Sequence, residues 1–195
     1  MSLSRQQWTL LGIFALFIGP VVLVMMMRSS WWQYQPAGLK NKGYLVQPPV
    51  KLELQTADAF ERKWVILYLL ESPCEKECIE NVTALRQVHR ASGRRAENLS
   101  IVLLSGVEPE EPLRQQLAGI YPDFHLATDT SGNALATLET IHQTMQTGQA
   151  GLAVVRTFVL DPMLNVILAY EADTNPGDLH KDLQRLLKLS DQENR

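Results

Sequence analysis

Two short apolar runs constrain this chain more than any other feature: KWVILYLL, Lys63 to Leu70, and LSIVLLS, Leu99 to Ser105. Runs of this length, nearly continuous in Val, Ile and Leu, predict strands buried on both faces of a partly parallel sheet. Between them Cys74, Cys78, Val82, Leu85 and His89 recur at helical spacing, while Glu75, Lys76, Glu80, Thr83 and Gln87 fall largely elsewhere. The pattern predicts strand, tight turn, helix, strand.

Downstream, PEEPLRQQLAGIYP (Pro109 to Pro122) predicts a short helix whose acidic start suits the helix dipole. FHLAT predicts a brief strand, and SGNALATLETIHQTM (Ser131 to Met145) a helix. AVVRTFVLD and NVILAYE, parted by Pro162, Met163 and Leu164, read as a hairpin. NPGDLHKDLQRLLKL closes the domain with an amphipathic helix carrying Leu179, Leu183, Leu186 and Leu187 on one face. The resulting order, β-α-β-α-β-α-β-β-α, predicts an α/β sheet that is parallel in part and antiparallel at one end, and it resembles a thioredoxin-like sandwich.

The first 30 residues differ from this. WTLLGIFALFIGPVVLVMMM, Trp8 to Met27, is 20 residues without a charge. At about 1.5 Å per residue it spans ~30 Å, the hydrocarbon thickness of a bilayer. Bulky methionines and the interfacial aromatics Trp31, Trp32 and Tyr34 follow it, where a cleaved leader has small residues. The expectation is an uncleaved transmembrane anchor over 1–30, a proline-bearing linker over 31–49, and a thioredoxin-like domain over 50–195. Arg5 on one side and Arg28, Lys40 and Lys42 on the other leave the charge rule for orientation undecided, and the short N-terminal tail places the larger domain outside. The net charge of −3 offers no basic field, so nucleic acid is not an expected partner.

The only two cysteines, Cys74 and Cys78, sit at the strand-to-helix turn in ESPCEKECIENV. On a helix this spacing puts the Cα atoms about 6 Å apart, which suits a disulfide and also lets two sulfurs converge on one ion. The helix start favours a Cys74 thiolate. Glu71, Glu75, Glu77 and Glu80, opposed only by Lys76 nearby in sequence, act against it and would welcome a soft cation such as Cu(I). Three uses stay open: a catalytic redox pair, a two-sulfur metal site, or a disulfide that pins the helix.

These features together, with TFVLDP (Thr157 to Pro162) and GYLVQPP before the domain, resemble the Sco-type proteins, membrane-anchored thioredoxin-fold factors of cytochrome c oxidase assembly. They are similar also to the small bacterial transmembrane proteins associated with that process. The resemblance implies a membrane-tethered factor on the outer, periplasmic side of a bacterial inner membrane. It would work by thiol/disulfide exchange or transient copper holding at Cys74 and Cys78. Its partners would be an oxidase subunit or another assembly factor.

The chain departs from the Sco pattern in three places. Glu75 and Ile79 stand where each cysteine is ordinarily followed by proline. Counting back from Asp161, the place of the family's copper-binding histidine is Ala153, and the cis-proline of thioredoxin-like reductases would fall at Val155. Among His89, His125, His142 and His180, His142 is the first alternative because it precedes that segment; Met163 lies in a predicted turn. The competing expectation is a non-catalytic interaction protein with a structural Cys74–Cys78 disulfide. The sequons at Asn81 and Asn98 and the basic SGRR cluster (Ser92 to Arg95) at a helix end carry no further function, and no hydrolase or phosphate-loop motif is present.

Overall fold

Strand β2 (Trp64–Leu69) sends Trp64, Ile66 and Tyr68 to one face and Val65 and Leu67 to the other, and this period of two sets the layers of the computed structural model. The structure describes residues 5, 7, 14, 16–20, 22, 41–54, 62–148 and 154–193. The chain divides into two units, 1–40 and 41–195.

In the second unit, β2 pairs in parallel with β3 (Leu99–Ser105), and β3 in parallel with β4 (Phe124–Thr128). On the other side β2 pairs antiparallel with β5 (Val155–Leu160), β5 with β6 (Asn165–Glu171), and β6 with β1 (Tyr44–Lys51). The sheet order is β1-β6-β5-β2-β3-β4. The hairpin and the crossover strands thus meet at β2, and the start of β5 lies beside the end of β2: Thr157 is opposite Tyr68.

Helix α1 (Lys76–Ala91) buries the stripe Cys78, Val82, Leu85 and Val88 against Ile66, Tyr68, Ile101 and Leu103. It stops at Ser92, followed by Gly93 in the left-handed region (φ 57°) that glycine enters without steric cost. Helix α2 (Glu111–Ile120) adds Leu117 to this face. The C-terminal helix α4 (Pro176–Glu193) adds Leu179, Leu183 and Leu187, each worth about 1.5–3 kcal/mol of burial. The opposite face is covered by α3 (Asn133–Gly148) through Ala134, Leu138 and Ile141, packed on Val65, Leu67, Val102 and Leu104.

The strand and helix order expected downstream of Lys63 is present, with a short 3-10 helix at Gly93–Asn98 added before β3, and one strand was not expected. β1 begins inside the segment read as linker 31–49, so the sheet starts before residue 50. Its prolines hid it: Pro48 and Pro49 lack the N–H that a central strand needs, but β1 is an edge strand, and its pairing with β6 is interrupted between Leu45 and Val50, where both prolines lie. A buried carboxylate fastens its start. Asp182 on α4 accepts the Lys42 N–H at 2.6 Å, the Gly43 N–H at 2.9 Å and the Tyr170 hydroxyl at 3.1 Å. Gly43 lies against the Tyr170 ring, and a Cβ there would run into it.

The expected membrane span, Trp8 to Met27, falls largely outside the described residues. Phe14, Leu16, Phe17, Ile18 and Val22 are helical and exposed. No helix among the described residues is long and apolar enough to cross a membrane.

Candidate redox site

The cysteine loop occupies the end of β2, where the chain turns from Leu70 into α1. Leu70 closes the strand by donating its N–H to the Leu104 carbonyl at 2.8 Å. Ser72 and Pro73 are exposed. Helix α1 starts later than the spacing predicts: Glu75 is the N-cap, so Cys74 precedes the helix and Cys78 lies in its first turn. The glutamate side chain makes no capping bond, which leaves the first-turn N–H groups facing the loop.

Cys74 and Cys78 form a disulfide with their Cα atoms 5.3 Å apart. The two sulfurs are not equivalent. Cys78 is 1% exposed and packs in the core beside Val82 and Tyr68, whereas Cys74 is only partly buried at the edge of that cluster. An attacking thiolate must reach sulfur along the S–S axis, so Cys74, the less buried of the two, is the point of entry and Cys78 the leaving or resolving group.

The charges around the loop include one that the linear neighbourhood omits. Arg156, near the start of β5, forms an ion pair with Glu71. Lys76 and Glu80 pair across one exposed helical turn at 3.6 Å. Beneath the loop, burial pushes the Tyr68 hydroxyl up, a hydrogen bond with Asn81 opposes this, and Glu71, Arg156 and Glu77 act on the same oxygen. Arg156 was the residue missed by reading neighbours along the chain. Its signal was a single charge in the otherwise apolar strand run AVVRTFVL.

The alternative ligands lie elsewhere. His89 is near the far end of α1, with Nε2 3.0 Å from the Leu99 carbonyl and Nδ1 3.0 Å from the Tyr121 hydroxyl. His142 is on α3, across the sheet from Cys78, where it lines a cleft with Leu69, Val155 and Arg156. His125 is on β4, its pKa lowered by burial and then by Lys63, and His180 is on α4 with Nε2 2.9 Å from Gln184. Met163 sits in the β5–β6 turn at the opposite end of the strands. Val155 is a buried β5 residue, and Ala153 lies outside the described residues. Among the described residues no group of three or more His, Cys, Asp or Glu side chains could hold a metal ion. While the disulfide is intact neither sulfur is a thiolate, so Cu(I) binding would require the reduced pair.

A sheet of this order, with helices on both faces and a Cys-x-x-x-Cys disulfide at the β2–α1 turn, defines a thioredoxin-like domain. The same architecture occurs in Sco proteins at low sequence identity. Thermus thermophilus Sco1 in its apo form matches at TM-score 0.52 and 18% identity, over 76% of this chain and 99% of that one. Copper-bound Arabidopsis thaliana ScoI matches at 0.53 and 11%, over 74% and 99%. Copper-bound yeast Sco1 matches at 0.51 and 13%, over 72% and 90%. No curated protein matches the chain in sequence. The chain belongs to the family described as transmembrane-like, thioredoxin-like, C-terminal domain, whose model matches residues 64–190.

Proposed function

We propose that this protein is a membrane-tethered, Sco-like accessory factor that carries out reversible thiol/disulfide exchange at Cys74 and Cys78. The observation that carries the reading is the asymmetry of the pair: a partly buried Cys74 joined to a Cys78 that is 1% exposed. A client thiolate attacks Sγ of Cys74, the S–S bond breaks, and Cys78 leaves as a thiolate. A second client thiolate then attacks the client sulfur of the mixed disulfide and releases Cys74. The client gains a disulfide, the protein gains two thiols, and two electrons pass between them.

The uncharged stretch Trp8 to Met27 supports a membrane anchor, and the exposed apolar side chains described within it agree with that use. The Sco-like fold and motif order support a client in cytochrome c oxidase assembly, an oxidase subunit or another assembly factor, on the outer face of a bacterial inner membrane. Transient Cu(I) holding by the reduced pair is the lesser form of the proposal, since a third ligand would have to come from the client.

A second reading has an observation of its own. Cys78 packs as an ordinary core residue, which suits a non-catalytic interaction protein with a structural disulfide. Trapping separates the two. Cys78→Ser, which keeps the Cys74 thiol, is expected to accumulate mixed disulfides with a model disulfide substrate, its Cys74 thiolate displacing one substrate thiolate, and Cys74→Ser is not. A reduction potential below about −300 mV together with no mixed disulfide would establish the structural reading instead.

A further inference from the structure

We propose that Arg156 is a positioning residue of the cysteine pair: through Glu71 it ties the loop to β5, and it supplies the sheet-borne positive charge that favours the reduced state. This rests on the exchange reading and adds a determinant of its redox equilibrium that lies far from the cysteines in sequence.

Three observations carry it. Glu71 is the first residue of the loop that leads to Cys74, and its partner Arg156 is set between the buried residues Val155 and Thr157 of β5. Arg156 reaches the loop from β5, at the irregularity in its pairing with β6 between Val155 and Thr157, whereas Lys76 is on the exposed first turn of α1. The two side chains of the pair are 29% and 37% exposed, so solvent screens them less than Lys76 and Glu80, at 91% and 65%. Glu71, Glu75, Glu77 and Glu80 otherwise surround the cysteines with negative charge. Reduction adds thiolate character to this acidic loop, so a nearby cation favours the reduced form and an anion the oxidised form.

The two roles of Arg156 make different predictions. If the ion pair only propped the loop, Arg156→Gln and Glu71→Gln would break the same contact and shift the redox equilibrium in the same direction. If charge acts on the cysteines, the two shifts have opposite signs.

The test equilibrates the full chain in detergent with glutathione buffers at about pH 8.5, where thiolate is well populated, and reads the reduced fraction by alkylation and mass. Two glutathione thiols supply the electrons and leave as glutathione disulfide. Arg156→Gln is expected to lower the equilibrium constant for reduction at least about threefold, ~14 mV at 29.6 mV per tenfold. Glu71→Gln is expected to raise it by a similar factor, and Arg156→Lys to stay within about twofold of the parent. Shifts of the same sign, no shift in either neutralised variant, or a lysine variant that behaves like glutamine would overturn the assignment. Because the measurement needs no client, it can fail while the mixed-disulfide trap succeeds, and the reverse.

Discussion

Exchange requires that the domain remain folded in both redox states, whereas a structural staple should be costly to open, and the loop length sets the expected cost. Cys74 and Cys78 are separated by four positions. In the chain-entropy account a loop this short removes only ~6 cal/mol/K from the unfolded ensemble, about 2 kcal/mol at 25 °C. A domain of this size has a total stability of ~5–15 kcal/mol, so the reduced protein should stay folded. The assay is urea unfolding of the full chain in detergent, followed by circular dichroism with and without a phosphine reductant. With a slope of ~2 kcal/mol/M, reduction should lower the midpoint by about 1 M with the slope unchanged. Cys74→Ala/Cys78→Ala should match the reduced parent. Cys78→Ser should fall below it, because a hydroxyl at a 1% exposed site loses ~1–3 kcal/mol if left unpaired. Unfolding on reduction in the absence of urea, or a loss above about 4 kcal/mol, would refute the reasoning and favour the structural disulfide.

Two further outcomes follow from buried carboxylates away from the loop. Asp182→Ala leaves the Lys42 and Gly43 N–H groups and the Tyr170 hydroxyl without their acceptor, so it should cost about 3–5 kcal/mol in the same urea experiment; a loss under about 1 kcal/mol would show that this latch contributes little. Asp129 precedes α3, and burial would raise its pKa, but the Leu135 N–H, the Ser131 hydroxyl and the Gly132 N–H outweigh burial and hold it below the usual value of 3.8. A depressed folded-state pKa contributes stability that is present above the unfolded value and is lost as pH falls through the folded one. Between about pH 5 and 3 the parent should therefore lose more stability than Asp129→Asn, which keeps a capping oxygen but does not titrate. Parallel acid limbs in the two unfolding series would contradict this.

What was legible in the sequence was what neighbours along the chain decide. The apolar runs of β2 and β3 and the stripe Cys78, Val82, Leu85 and Val88 carry their own periods, so the strand, the helix and the place of the cysteine turn could all be read. β1 could not, because Pro48 and Pro49 argue against a strand unless its edge position is known, and that position is created by pairing with β6. The latch that fixes its start joins residues 140 positions apart. Such a bond leaves no local pattern.

The cysteine loop shows the same division within one site. Along the chain it reads as four carboxylates opposed by Lys76, a field that offsets part of the helix effect and weakens Cys74 as a nucleophile. Folding brings Arg156 from β5 onto the first of those carboxylates, and the start of α1 leaves uncapped N–H groups toward the loop. The ion pair offsets one of the four carboxylates, and it adds to the helix-start effect already legible in the sequence. The case against exchange chemistry drawn from the linear count of charges is therefore weaker than the sequence alone suggests. A single cation from the neighbouring strand can alter a field, but it cannot act as a copper ligand, and among the described residues no third one joins the pair.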